Sequence, residues 1–291
     1  MGQLTIISGK GGTGKTTLTA AFASLADGKV LADCDVDAAD LHLILNPTIK
    51  RRESFSGGRS PVVDAEKCTK CGICTEVCRF DAIEDGGVDL IACDHCGLCV
   101  YACPEHAITM EEDFNGEWYV SETDYGPMVH ARLGIGEENS GKLVTVVRKE
   151  ASEIAKERDL KLVIIDGPPG IGCPVISSIA GVDLVLVVVE PTLSGIHDME
   201  RILNLANHFR IPALACINKY DINLANTKRI RDYCERNEVE MVGMIPFDAK
   251  VIDALVQRRS IIEYPCGAVT REVDKIWEKI SNHLNNHYSG A

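Results

Sequence analysis

The chain has 291 residues, 45% hydrophobic and 25% charged, with 30 Lys+Arg against 43 Asp+Glu and a net charge of -13. That describes an acidic, folded protein of one large domain or two, not a disordered one. The acidic balance and the 5% aromatic content argue against nucleic acid as a partner, because phosphate backbones are bound by clustered positive charge. No run approaches the roughly 20 apolar residues of a membrane span, and the opening MGQLTIISGK lacks the regions of a signal peptide. A cytoplasmic location without stable membrane anchoring is expected.

In chain order, the apolar segment Leu4 to Ser8 reads as a buried strand. It runs into Gly9-Lys10-Gly11-Gly12-Thr13-Gly14-Lys15-Thr16, followed by Thr17 and a helical stretch to about Ala26. Strand, glycine-rich turn, Lys-Thr and helix make a Walker A phosphate-binding loop. The glycines let backbone N–H groups approach phosphate oxygens at a helix N-terminus, Lys15 reaches the β- and γ-phosphates, and the Thr16 hydroxyl is suited to magnesium. A second strand, Val30 to Ala32, ends in Asp33-Cys34-Asp35-Val36-Asp37.

The stretch from Pro47 to Pro61, rich in Arg, Ser and Gly, reads as a boundary. Beyond it lie eight of the chain's 13 cysteines. Cys68, Cys71, Cys74 and Cys78 follow C-x-x-C-x-x-C-x-x-x-C; Cys93, Cys96, Cys99 and Cys103 repeat it, and Ala82-Ile83 maps onto Ala107-Ile108. This is the spacing of a bacterial-type two-cluster ferredoxin. Three close thiolates wrap one cubane while the fourth, after a longer spacer, reaches the other. The assignment is Cys68, Cys71, Cys74 and Cys103 to one 4Fe-4S cluster, and Cys93, Cys96, Cys99 and Cys78 to the second. Structural zinc and disulfides account for the pattern less well, the first needing only four ligands per site and the second an oxidising compartment. Arg79 departs from the pattern, standing where a proline usually follows the fourth cysteine. His95 and His106, inside the repeats, read as groups near a cluster rather than ligands.

The acidic stretch Glu111 to Gly126 reads as the closing boundary. Gly136 to Leu143 has Walker A spacing without the hydroxyl residue, and reads as a loop entering a helix that runs to about Lys156. A buried strand, Leu162 to Ile165, then ends in Asp166-Gly167-Pro168-Pro169-Gly170. Cys173 reads as a small buried residue behind that loop. A strand at Leu184 to Val189, a helix from about Ile196 to Phe209 and a strand at Ala213 to Ile217 lead to Asn218-Lys219-Tyr220-Asp221. Read alone, that tetrad suggests guanine recognition. A last helix places Val273, Ile276, Trp277, Ile280 and Leu284 on one face, with mixed charges elsewhere, and reads as packed on its own domain.

Alternating strands and helices give an α/β class: a doubly wound, mostly parallel sheet with nucleotide at the C-terminal strand ends. A small α+β ferredoxin domain interrupts it. The expected domains are 1-57 and 114-291 for the P-loop part and 58-113 for the insert.

With Lys10 as a second lysine early in the loop, the chain resembles the deviant Walker A ATPases of the MinD/ParA and nitrogenase-iron-protein superfamily, and more distantly the Mrp-type iron-sulfur carriers. The resemblance extends to Asp33-Cys34-Asp35 as switch I, Asp166 to Gly170 as Walker B and switch II, and Asp124 through Lys142. It implies an ATPase, slow without its partner, that forms an ATP-dependent homodimer in which Lys10 crosses to the partner's nucleotide. Asp35 then handles magnesium and the attacking water, Asp166 holds Mg2+ through water, and the Gly170 amide senses the γ-phosphate. Asn218 with Ile245-Pro246-Phe247-Asp248 would contact adenine, favouring ATP/ADP over GTP. Three activities fit these expectations. One is an ATPase coupling dimer rearrangement to electron transfer with a redox partner. Another is an assembly or carrier factor for an iron-sulfur or metal centre on a client protein. The last is a positioning ATPase whose clusters sense redox state.

Overall fold

The computed structural model describes residues 1–134 and 141–288. Eleven strands and ten α-helices are assigned among them. The chain divides into two compact units, one of Met1–Glu53, Trp118–Arg132 and Asn139–Ala291, the other of Ser54–Glu117 and Leu133–Glu138.

The first unit is built on β1 (Gly2–Ser8), β2 (Lys29–Asp33), β8 (Leu162–Pro169), β9 (Leu184–Val189), β10 (Ala213–Asn218) and β11 (Glu240–Ile245). All pair in parallel. The sheet continues through β7 (Gly126–Leu133), β6 (Ile108–Thr123) and β3 (Thr48–Val63), giving the order β11-β10-β9-β1-β8-β2-β7-β6-β3. The central strands are near-continuous apolar runs, such as Leu184 to Val189, because helices cover both faces. The register sets Asp33 level with Asp166, and Ile6 level with Asp166 on the other side. The ends of three strands thus bring the Walker loop and two aspartates together.

One face is covered by α1 (Lys15–Leu25) and α10 (Ala268–Tyr288), with Phe22, Val273, Ile276, Ile280 and Leu284 all buried in one apolar core. Phe22 meets Trp277 at 5.2 Å between ring centroids. An isoleucine on α10 needs Gly243 in β11, since a Cβ there would lie 2.4 Å from Ile276. The apolar face read from the last helix is therefore spent on its own unit. No described helix is long and apolar enough to cross a membrane.

Both stretches read as boundaries are mostly strand. β3 and β6 are 16 residues each, and the chain passes between units inside them. Their Arg, Ser, Gly and acidic residues carry weak β propensity, but β3 is an edge strand whose exposed positions accept charge, and ladder pairing outweighs propensity. Cross-strand stacking adds to it, with the Arg51 guanidinium 4.9 Å from the Trp118 ring centroid. The expected insert, 58-113, is four residues shorter at each end than the segment Ser54–Glu117, and it leaves out Leu133–Glu138, which belongs to the same unit. The helix expected to end near Lys156 is α5 (Lys142–Glu157), while positions 136–140 of the loop before it lie outside the described residues.

A buried aromatic stack sits under the loop after β2. His130 is 7% exposed, hydrogen-bonded through Nε2 to Ser121 Oγ at 3.0 Å, and stacked between Tyr119 and His42 at 4.9 and 6.0 Å. Burial, with a smaller contribution from His42, pushes the His130 imidazole down to about 4. A depressed histidine favours the folded state above the unfolded value near 6.5 and loses that advantage as pH falls towards 4. Stability measured by urea titration should therefore drop over that window by up to about 3 kcal/mol more in the native protein than in His130→Asn. Parallel curves for the two proteins would contradict the assignment.

Candidate nucleotide and cluster sites

The loop Gly9 to Gly14 leaves the end of β1 and enters α1 at Gly14, which caps the helix at φ 92. Only glycine serves there. The conformation is left-handed, and a Cβ would stand 2.4 Å from Asn218 Nδ2. Lys15 is buried, and its Nζ lies 3.2 Å from Asp35 Oδ2. Thr19 donates to Asp166 Oδ1 at 3.0 Å. Asp33, fully buried, accepts N–H groups from Asp35 at 3.2 Å and Leu41 at 3.3 Å. One carboxylate thereby clamps both ends of the Cys34 to Asp40 loop, a role the spacing of Asp33 did not disclose.

Three buried carboxylates around one ammonium are short of positive charge. Burial raises the Asp33 carboxyl well above its usual range, helped by Asp166 and Asp35. Burial likewise pushes Asp35 up to about 6 against the pull of Lys15, and raises Asp166. Asp35 Oδ1, Asp166 Oδ2 and Thr13 Oγ1 are buried without a hydrogen-bond partner. Such orphaned acceptors, aligned with a hydroxyl-bearing Thr16, fit a divalent cation and a phosphate group.

Beside the loop opens a cavity of about 190 Å³, lined by Gly12, Gly14, Thr17, Asn218, Pro246, Phe247 and Asp248, among others. Its wall is largely apolar, as a base requires. Asn218 donates to Thr13 O at 2.8 Å and Lys219 Nζ to Gly12 O at 3.2 Å. Lys219 also pairs with Glu190. Asp221 Oδ1 accepts the Phe247 N–H at 2.8 Å. The acid of the guanine-like tetrad is thus used to hold the Pro246-Phe247 turn.

Two predicted residues have other partners here. Lys10 Nζ is 3.2 Å from both Thr192 Oγ1 and Ser194 Oγ of its own chain. The Gly170 N–H donates to Ser8 O at 3.0 Å. Cys173, read as buried, is exposed at the start of α6 (Cys173–Ile179), while Cys34 is buried. The reason is local: Gly172 is extended, and Pro174 opens a new helix whose first residue faces out.

In the second unit the two cysteine motifs fold alike. Short helices α3 (Ile73–Val77) and α4 (Leu98–Ala102) begin after Gly72 and Gly97 at φ 80 and 72, and end at Cys78 and Cys103. Lys70 and His95 are both left-handed, at φ 55 and 54, as are Asp81 and His106, at 51 and 49. Ala82-Ile83 and Ala107-Ile108 are buried equivalently. Every one of these pairs has the sequence offset of the cysteines, so the duplication extends to the backbone.

Cys68, Cys71, Cys74 and Cys103 line one cavity of about 80 Å³. That lining takes three cysteines from the first repeat and one from the second. Of the other set, Cys99 is buried, and burial together with nearby Cys93 and Cys96 raises its thiol. All thirteen cysteines are free thiols, with no disulfide. Among the described residues no three His, Cys, Asp or Glu side chains converge on a point suited to a single metal ion. Four thiols around a cavity fit a larger group, and the chemistry of the donor set is that of an iron-sulfur cluster.

A parallel sheet with a Walker loop at its C-terminal edge, a buried lysine bonded to an acid and an adjoining, largely apolar cavity defines a P-loop nucleotide-binding protein. Residues 4–261 match the family model of the CobQ/CobB/MinD/ParA nucleotide binding domain, and the chain belongs to that family. It is 32% identical to an uncharacterized protein of Methanocaldococcus jannaschii over 97% of both chains. It is also similar, at 24% identity, to an iron-sulfur cluster carrier protein of Pyrococcus abyssi, covering 97% of this chain and 86% of that one. Among solved structures, the fold resembles the cell division ATPase MinD of Pyrococcus furiosus, with TM-score 0.59 and 19% identity over 97% and 98% of the two chains. MinD of Pyrococcus horikoshii, complexed with Mg-ADP, gives TM-score 0.58 and 16% identity over 96% and 95%.

Proposed function

We propose that this protein binds and hydrolyses ATP with Mg2+, and couples the resulting rearrangement of a homodimer to electron transfer through two 4Fe-4S clusters. The observation that carries the reading is the crossed cysteine cavity, Cys68, Cys71, Cys74 and Cys103, in the same chain as the Walker loop.

Lys15 and Thr16 would hold the phosphates and Mg2+, with Asp35 and Asp166 around them. Mg2+, when bound, supplies charge to the β- and γ-phosphate oxygens. Thr13, Gly14 and the Lys15 ammonium would orient the phosphate chain, and Asp35 would orient a water. Asn218, Pro246 and Asp248 border the base cavity, and engagement of Asp221 by Phe247 N–H supports adenine over guanine. The eight motif cysteines hold the clusters.

Lys10 is assigned to the partner's nucleotide. Its contacts with Thr192 and Ser194 are the ones it would give up on dimer closure. Lys10→Ala should bind MgATP with unchanged affinity while hydrolysis falls by about 10³-fold, the scale of a charge supplied in trans. Normal turnover in that variant refutes the role. A second reading, an assembly or carrier factor for iron-sulfur centres, draws on the similarity to the Pyrococcus abyssi carrier. Transfer of iron to an apo-ferredoxin, in place of electron transfer, would mark it.

A further inference from the structure

The duplication provides an internal control for the surroundings of the two proposed clusters. Asp64 and Asp89, equivalent in the repeats, each close a turn before the first cysteine, accepting Glu66 N–H at 3.0 Å and Ile91 N–H at 2.9 Å. The left-handed residues, the glycine caps and the short helices also match. Lys70 and His95 do not. Both sit between the first and second cysteines of their motif. Lys70 is exposed, with no side-chain hydrogen bond or ion pair among the described residues. His95 is tied to the strands: its Nδ1 lies 3.1 Å from Ser60 Oγ, and Ser60 Oγ lies 2.6 Å from Asp113 Oδ2.

The chemistry gives this chain of bonds a direction. An ionised carboxylate only accepts, so the Ser60 hydroxyl donates to Asp113, and its oxygen is left to accept the Nδ1–H of His95. Ser60 is 5% exposed, on β3, and Asp113 is on the neighbouring β6. Charge-assisted bonds of this kind are short and stronger than neutral ones. The His95 main-chain N–H in turn faces Cys93 Sγ at 3.4 Å. The second motif's ligating turn is therefore fastened from outside the motif through His95, and among the described residues Lys70 gives the first motif's equivalent turn no such bond.

We propose that Asp113, Ser60 and His95 are positioning residues that brace the Cys93 to Cys96 turn, so that the second 4Fe-4S cluster is retained more firmly than the first. The inference rests on the two-cluster reading and adds an inequality to it. The cluster bound by Cys68, Cys71, Cys74 and Cys103 is the one exchanged or lost, and the other is resident.

The test uses anaerobically reconstituted full-length protein challenged with a ferrous chelator, following the visible charge-transfer absorbance and the EPR of the reduced clusters. Variants with Cys68 and Cys71, or Cys93 and Cys96, changed to alanine identify each signal. In the native chain the first cluster should bleach about tenfold faster than the second, the scale of one to two hydrogen bonds. Ser60→Ala and Asp113→Ala should each bring the second cluster's rate up towards the first's, Ser60→Thr should restore it, and Lys70→Ala should leave the first unchanged. Two clusters lost at one rate in the native chain, or a Ser60→Ala rate equal to native, overturn the brace while leaving the clusters in place. Absence of iron from every preparation overturns the cluster reading and the brace with it.

Discussion

Replacing Lys15 by alanine is expected to abolish nucleotide-dependent dimerisation and to lower ATP hydrolysis by about 10²- to 10³-fold, the loss typical of removing one preorganised charge-stabilising group. The geometry gives the reason. Lys15 is 5% exposed and is the cation bonded to Asp35, with Asp166 and Asp33 close by. Without it, the carboxylates repel a triphosphate instead of framing one. Equilibrium dialysis with labelled ATP separates lost binding from lost chemistry, and sedimentation with and without MgATP reads the dimer. Native affinity in the variant would contradict the placement of phosphate at this loop.

The second large effect concerns the crossing of the cysteine repeats. Cys103→Ala is expected to cost the chain its first cluster, although Cys103 belongs to the second motif. Iron per chain should fall from about eight to about four, as for any loss of one of two cubanes. The EPR of the cluster that remains should match that of a protein lacking Cys68, Cys71 and Cys74. The expectation comes from the cavity that Cys103 shares with those three residues. A remaining signal that instead matches a protein lacking Cys93, Cys96 and Cys99 would mean that each repeat holds its own cluster. Cys78→Ala is the reciprocal case.

The parts legible in the sequence are those whose chemistry depends on short spacing. A Walker loop is one strand, one turn and one helix start, and its residues are neighbours in the chain. The cysteine motifs are local in the same way, and their duplication is what suggests a crossed pairing. Residues that act through distant partners left no comparable mark. Ser60 looked like one of several serines in a polar stretch and Asp113 like one acid in a run, yet β3 and β6 set them beside His95. Those strands were themselves hidden, since edge position and pairing, not composition, make them strands. Asp33 was visible as part of an acidic triplet, but its clamp on the N–H groups of Asp35 and Leu41 needs the fold. Asp221 is a further case: its tetrad read alone suggests guanine, and the bond its carboxylate accepts from the Phe247 N–H is visible only in the fold. Cys173 was misread for a third reason, because a single glycine-to-proline turn decided its exposure.

Coupling between nucleotide and clusters can be read from an anaerobic redox titration of the reconstituted protein, alone, with MgADP and with MgATP. Binding and potential are linked reciprocally, so nucleotide that changes the clusters' surroundings must change their potential. A shift of about 60 mV or more is expected in at least one cluster with MgATP, which corresponds to about 1.4 kcal/mol for one electron. The shift should be absent in Lys15→Ala. Identical potentials in all three conditions, with ATP demonstrably bound, would contradict the coupling.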